Sequence, residues 1–412
     1  MTATVNLVIM AHDRTRSVRS LYDKLIKATP ILGIFGHRQV GKTTFINQVT
    51  EHYVTFDSQS IRKLAEADPE AFVDSLKCMP FGVDECQTVP ELFPALKEKV
   101  RTRKMPGQFI LSGSVRFTSR RAIRESLAGR MMFFELGPLV ISELDQRPLS
   151  DFFIEILGQK SFHENSFHDL DSVELKRRLK SIDLYLEKGG LPGICFLREQ
   201  RLMSERLDDL LRLMLDRDLR LVHETRLSLE LLMSYLKMIA TFSWQGYSYT
   251  DVKKELGISA VTQKALLYAL ESIFLIRRIP IYGGSKGEII LLEDQFEELV
   301  LAEQPYSTDL QLTSLAFRNL RAQFQYRLGS QLVVRSYWTR NNARIPLVLA
   351  SSGRCLGIIV IDSDEPTTSQ LRAADSLLKA EMNSKVLILS KSLKKSKMIN
   401  PRIAVVPLAN AV

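Results

Sequence analysis

The chain reads as an α/β protein, with a parallel-sheet core first, a largely helical middle, and a second, smaller α/β domain at the end. Three observations predict this. Short apolar segments at 31–35, 53–57, 80–84, 108–112 and 131–136 recur with helical stretches between the first four, the alternation of a parallel sheet. The first segment runs directly into a glycine-framed loop and a helix. The full 412 residues, 45% of them hydrophobic, exceed one ordinary core and suggest two to four domains.

Residues 13–28 predict an amphipathic helix with Val18, Leu21 and Leu25 on one side, leading into the strand Ile31 to Phe35. The next eight residues, Gly36-His37-Arg38-Gln39-Val40-Gly41-Lys42-Thr43, fill the pattern G-x-x-x-x-G-K-[ST]. Glycines there let successive backbone N–H groups turn inward toward phosphate oxygens, and the following helix adds its positive end. Lys42 is the expected charge partner of the β- and γ-phosphates of ATP, and the Thr43 hydroxyl the expected ligand of Mg²⁺. Thr44 closes the predicted phosphate-binding stretch, with packing or capping as its own role.

About forty residues on, Pro80-Phe81-Gly82-Val83-Asp84-Glu85 reads as a strand ending in two carboxylates, the spacing of a Walker-B element. Asp84 is the expected metal partner and Glu85 the expected base for the attacking water. The competing reading is an acidic helix start, because Pro90 to Lys97 begins a helix soon after. A further strand ends in Ser112-Gly113-Ser114, where Ser112, with Ser114 behind it, is the candidate sensor of the terminal phosphate or the water. A turn that simply favours Ser and Gly explains these serines equally well. Arg116, Arg120, Arg121, Arg124 and Arg130 then crowd together, one of them a candidate for neutralising transition-state charge in its own subunit or a neighbour. A solvated helix face is the alternative for each.

Residues 1–145 thus form the nucleotide-binding core and 146–240 a helical connector, in which leucines recur from Leu202 to Val222 among charges expected to be solvated or subunit-contacting. Residues 241–290 predict a winged helix. Thr250 to Leu256, Gly257, and Ser259 to Leu270 read as helix, turn, helix, with Phe274 to Ile276 and Ile279 to Ile281 as the wing. Gln263 and Lys264 are expected on the outward face of the second helix, available to double-stranded DNA unless that helix packs on protein instead. A net charge of +9 favours acidic partners.

The ordered motifs GHRQVGKTTF, VDECQTVPEL, FILSGS, ESLAGR, LGPLVISEL, EKGGLPG and LDRDL resemble the prokaryotic AAA-type ATPases that carry a winged-helix segment and a restriction-endonuclease-like C-terminal domain. The resemblance implies a five-stranded parallel core with ATP at the strand ends, and a helical segment bearing Gly189-Gly190-Leu191-Pro192 and Arg217-Asp218. His37 stands where proline is usual, and Leu127-Ala128-Gly129-Arg130 matches the family's L-A-G-R, which singles out Arg130. Residues 291–412 match the nuclease-like part but depart at its metal-binding strands. Arg344 to Leu349 and Gly357 to Asp362 replace the two strands whose carboxylates and lysine build the nuclease site. The expectation is therefore a nuclease-like fold without nuclease chemistry; Asp362, Asp364 and Glu365, just beyond the second strand, are the acids left for a migrated metal site, with an acid-rich surface turn as the alternative.

The function expected is an Mg-ATP-hydrolysing switch or remodelling factor that acts on DNA or a protein partner, assembled as a homo-oligomer. The alternative is a nucleotide-gated interaction module with little turnover. Four cysteines without C-x-x-C spacing predict reduced thiols, and His163 and His168 surface positions. No apolar run approaches the roughly twenty residues of a membrane span, which predicts a cytoplasmic protein without membrane contact.

Overall fold

The computed structural model describes residues 14–116, 127–302, 307–329, 332–351 and 353–412. Helix α1 (Arg19–Leu25) precedes β1 (Ile31–Phe35), and the glycine loop leads into α2 (Lys42–Val49). Then follow β2 (Tyr53–Thr55), α3 (Gln59–Ala67), α4 (Pro69–Ser75), β3 (Phe81–Asp84), α5 (Leu92–Thr102), β4 (Phe109–Gly113) and β5 (Met131–Glu135). The five strands form one parallel sheet in the order β2-β3-β4-β1-β5. Strand β1 lies between β4 and β5 and is buried along its whole length, and its alternation decides what it holds together. Leu32 and Ile34 join a core shared with α1 and the helical middle, whereas Ile31 and Phe35 join one shared with α5. All five strands are parallel, so the loops after β1, β3 and β4 meet at one edge, where open α/β sheets bind ligands.

The middle contains α6 (Ile141–Leu144), α7 (Phe152–Gly158), α8 (Ser172–Lys188), α9 (Pro192–Cys195), α10 (Gln200–Leu213) and, after a π-helical turn at Met214–Asp218, α11 (Leu219–Val222). Helix α12 (Leu229–Thr241) precedes α13 (Tyr249–Leu256) and α14 (Ala260–Ser272). Ser248 and Ser259 cap these last two helices, and Gly257 ends the first at φ +70°. A hairpin follows, β6 (Ile276–Tyr282) against β7 (Gly287–Leu292). Ile276 and Ile279 to Ile281 therefore share one strand, and the hairpin's second strand lies further on than the sequence suggested.

After α15 (Gln295–Leu301) and α16 (Thr308–Leu328) come β8 (Val334–Trp338), β9 (Arg344–Ser351), β10 (Arg354–Ile361), α17 (Thr368–Ala380), β11 (Ser384–Ser390), β12 (Lys397–Asn400), β13 (Ile403–Pro407) and α18 (Leu408–Ala411). These strands form an eight-stranded mixed sheet, ordered β12-β13-β11-β10-β9-β8-β6-β7. The hairpin enters this sheet because β6 pairs in parallel with β8, through Ile281 to Ser336 and Tyr282 to Tyr337. A boundary at 290 consequently cuts β7, and the hairpin belongs to the sheet as much as to the helices before it. Strand β10 again alternates between two cores, with Leu356, Ile358 and Val360 on one side and Ile359 and Ile361 on the other. Among the described residues no helix is long and apolar enough to cross a membrane.

Candidate nucleotide-binding site

The phosphate loop is shaped by two positive backbone angles, Gln39 at φ +60° and Gly41 at +92°. It also presses against the chain after β5, where a Cβ on Gly36 would lie 2.1 Å from the Leu136 carbonyl oxygen. Glycine is thus required at both ends for different reasons, the left-handed turn at Gly41 and the close approach at Gly36. Helix α2 begins at Lys42 without a side-chain cap, leaving its first N–H groups available to an anion.

Lys42 is buried, and its Nζ donates to the carbonyl oxygens of Gly36, at 3.0 Å, and His37, at 2.9 Å. Burial lowers its pKa, and the neighbouring carboxylates of Glu85 and Asp84 oppose that shift. Thr43 Oγ1 donates to Asp84 Oδ2 at 2.5 Å, and Ser112 donates to the other oxygen of the same carboxylate. Asp84 therefore ties together the phosphate loop, the end of β3 and the end of β4. Thr44 is exposed on the first turn of α2, and Val40 is buried.

Glu85 follows Asp84 in a left-handed conformation, φ +54°, which a non-glycine residue adopts at a cost of about 1–3 kcal/mol. Its carboxylate accepts from Gln87 Nε2 at 2.5 Å and lies 4.0 Å from the Arg38 guanidinium. Burial raises the Glu85 pKa despite Lys42 and Arg38 nearby, which moves a base toward neutral pH. The oxygens of Thr43 and Asp84 suit Mg²⁺, which takes one or two protein ligands and completes its octahedron with phosphate oxygens and water. Among the described residues no cluster of three or more His, Cys, Asp or Glu side chains could hold an ion alone. An ion here would rely on the nucleotide it accompanies.

The other loop side chains are committed to distant segments. His37 Nε2 lies 2.9 Å from Glu297 on α15, with both side chains fully buried. Burial opposes charge on this imidazole, but Glu297 and the Arg38 carbonyl hold its pKa above the usual value. Arg38 reaches Asp218 in the π-helical turn, and Gln39 abuts Gly193 at the start of α9. Buried Arg16 donates to the Val40 carbonyl at 2.7 Å while pairing with Glu143 at 3.1 Å.

Three of the expected side chains lie away from their own chain's phosphates or from an outward face. Arg130 precedes β5, which runs parallel to β1, so it stands at the sheet edge away from the loop. Five residues of strand put it about 17 Å off, and it has no reach to the phosphates of its own chain. Arg116 is engaged elsewhere, 3.4 Å from Glu135 and donating to the Glu271 carbonyl of α14. Arg120, Arg121 and Arg124 lie outside the described residues. Gln263 does not face outward: it is fully buried, donates to the Tyr249 and Ile258 carbonyls and accepts from Tyr247. Lys264 is exposed beside the Tyr249 ring.

Asp218 is the site residue whose role the sequence did not assign. It is fully buried within its own chain, although the charges between Leu202 and Val222 were expected to be solvated or subunit-contacting. Its signal was phase, since Leu207, Leu211 and Leu215 form a buried stripe that position 218 continues. A carboxylate on such a stripe requires a partner.

Residues 28–145 match the family model described as an AAA domain. That match, with the loop and carboxylate geometry, supports an ATPase-type nucleotide-binding function for this core. Residues 179–288, from α8 to β7, match a domain family of unknown function. Two curated relatives, uncharacterised proteins of Mycobacterium bovis and Mycobacterium tuberculosis, are each 25% identical over 288 residues, covering 69% of this chain. The chain spans only 57% of their length. A solved structure described as a DNA replication initiation factor aligns over 75% of this chain and 92% of its own, at 12% identity and a TM-score of 0.25. A likeness that slight carries no argument.

Proposed function

We propose that this protein binds and hydrolyses Mg-ATP and uses the cycle to move its helical and C-terminal parts. The carrying observation is the convergence of Lys42, Thr43, Asp84 and Glu85, with Asp84 bonded to both Thr43 and Ser112. When bound, Mg²⁺ supplies charge neutralisation to the phosphates, held by Thr43 and Asp84. Lys42 leaves the carbonyls of Gly36 and His37 to meet phosphate, and Glu85, held by Gln87, accepts the proton of the attacking water. Lys42→Ala is expected to abolish binding of a fluorescent ATP analogue; undiminished binding refutes the phosphate site.

Arg130, with no role in its own site, acts in this reading on the nucleotide of a neighbouring copy, which requires a homo-oligomer. Double-stranded DNA is the macromolecular partner favoured by the helix-turn-helix of α13 and α14 and its hairpin. Val261 and Tyr268 are 81% and 51% exposed on α14, beside Lys264. The C-terminal domain is read as nuclease-like and inactive. The order α16-β8-β9-β10-α17-β11 supports the first part. Arg344, stacked 4.2 Å above the Trp338 ring where an acid would be needed, supports the second. Phosphate release measured across protein concentration, with and without duplex DNA, tests assembly and partner together. The second reading, a nucleotide-gated protein-interaction module, is favoured by the buried His37–Glu297 pair that joins the loop to α15. It predicts tight ATP retention with no turnover.

A further inference from the structure

We infer that Arg38 and Asp218 form an exchange latch: the terminal phosphate of a nucleoside triphosphate takes the place of the Asp218 carboxylate on the Arg38 guanidinium. The helical middle is thereby released from the phosphate loop by triphosphate and not by diphosphate. This rests on the phosphate-site reading above and adds to it the identity of the residue that tells the two nucleotides apart.

The geometry is specific. Arg38 lies inside the phosphate loop, four residues before Lys42, and its guanidinium binds Asp218 through two nitrogens, Nε to Oδ2 at 2.5 Å and an Nη to Oδ1 at 3.1 Å. Such a fork accepts a carboxylate or a phosphate through the same pair of parallel hydrogen bonds, so one oxyanion can displace the other. The same guanidinium lies 4.0 Å from Glu85, placing it beside the group assigned to activate water rather than at the loop's outer surface. The carboxylate it holds comes from a different region of the molecule, the π-helical turn Met214–Asp218 that separates α10 from α11. Turns of this kind interrupt regular helices and recur at functional sites.

A second set of contacts closes the circuit. Ser114 donates to Asp218 Oδ2 at 3.3 Å and accepts from Gln87 Nε2, also at 3.3 Å, while Gln87 donates to Glu85 at 2.5 Å. Asp218, Arg38, Glu85, Gln87 and Ser114 thus form a ring that holds the base in one place while the latch is closed. When phosphate claims Arg38, Asp218 keeps only Ser114 as a partner within this ring, and the helical turn carrying it is free to move. Diphosphate, lacking the terminal group, leaves the fork on Asp218.

The test uses the full chain with fluorescent ADP and a fluorescent non-hydrolysable ATP analogue, in Mg²⁺. Asp218→Asn removes the competing carboxylate charge and is expected to tighten binding of the triphosphate analogue by roughly five-fold or more, a larger factor than for ADP. Arg38→Ala is expected to lower the ratio of triphosphate to ADP affinity well below the wild-type value, leaving only the preference that Lys42 confers. Arg38→Lys, which keeps the charge and loses the fork, is expected to fall between Arg38→Ala and wild type and serves if either other variant fails to fold. In the unmutated protein, amide hydrogen exchange across 214–218 is expected to quicken with the triphosphate analogue and not with ADP. The latch is overturned if Arg38→Ala and Arg38→Lys retain the wild-type ratio of affinities, or if exchange at 214–218 responds equally to both nucleotides. Failure of the underlying site reads differently, as wild-type binding that survives Lys42→Ala.

Discussion

Two sheets in this molecule share a construction and differ in what their strand ends carry. In the five-stranded sheet the ends of β3 and β4 bring Asp84 and Ser112 to the phosphate loop, and polar groups meet inside a buried edge. In the eight-stranded sheet the comparable places are apolar or diverted. Strand β10 ends in Val360-Ile361, the backbone N–H of Asp362 is taken by Asp309, Glu365 pairs with Lys397, and Arg344 covers Trp338. Burying alternate apolar residues on both faces is enough to build either sheet. The chemistry of an edge depends on a few polar side chains whose loss leaves the strands intact.

Between the sheets, Arg277 binds Glu135 at the end of β5 and Glu293 after β7, each at 2.6 Å, with Arg321 and Arg116 adding to the cluster. These cations hold both buried carboxylates below the usual range. If the two regions depend on this junction, Arg277→Ala leaves two buried acids poorly compensated and costs about 3–5 kcal/mol, seen as a lower urea midpoint for the whole chain. A midpoint unchanged from wild type would separate the regions energetically. The contrast between them sharpens with Ile358→Ala in β10, expected to cost about 3 kcal/mol through the cavity it leaves in the second core. Nucleotide affinity measured on the same folded variant is expected to stay at the wild-type value, since Ile358 packs in a core that includes none of the described site residues.

The smallest effect is a pH dependence at the contact between loop and α15. The folded pKa of His37 lies above its ordinary 6.5, so the His37–Glu297 pair contributes fully below that value. Its contribution is lost as pH rises through the raised folded value, when the imidazole gives up its proton. Between pH 6 and pH 9 the wild type should lose more stability than His37→Gln does. Parallel urea midpoints for the two proteins across that range would remove the charge from the contact.

Much of the first sheet was legible because strands buried on both faces are near-continuous apolar runs, and β1 was read to the residue at Ile31 to Phe35. Glycine spacing, lysine and adjacent carboxylates pointed to the candidate site because each answers a local chemical need. What escaped depended on distant partners. Nothing near Gln263 announces that Tyr247, Tyr249 and Ile258 enclose it, and no local pattern tells β6 to pair with β8 more than fifty residues later. The position of Arg130 was recoverable in principle, since a residue just before a parallel strand stands at the end opposite the loop that follows its neighbour. Asp218 was recoverable too, as a charge in phase with buried leucines, but its partner Arg38 lies 180 residues away.

Phosphate release by wild type and Glu85→Gln, with Mg-ATP retention measured on the same samples, tests the central claim most directly. Glu85 as the base predicts that Glu85→Gln retains ATP in an Mg²⁺-dependent manner while its turnover falls by about 10²–10⁴-fold. Equal phosphate release from the two proteins would contradict it.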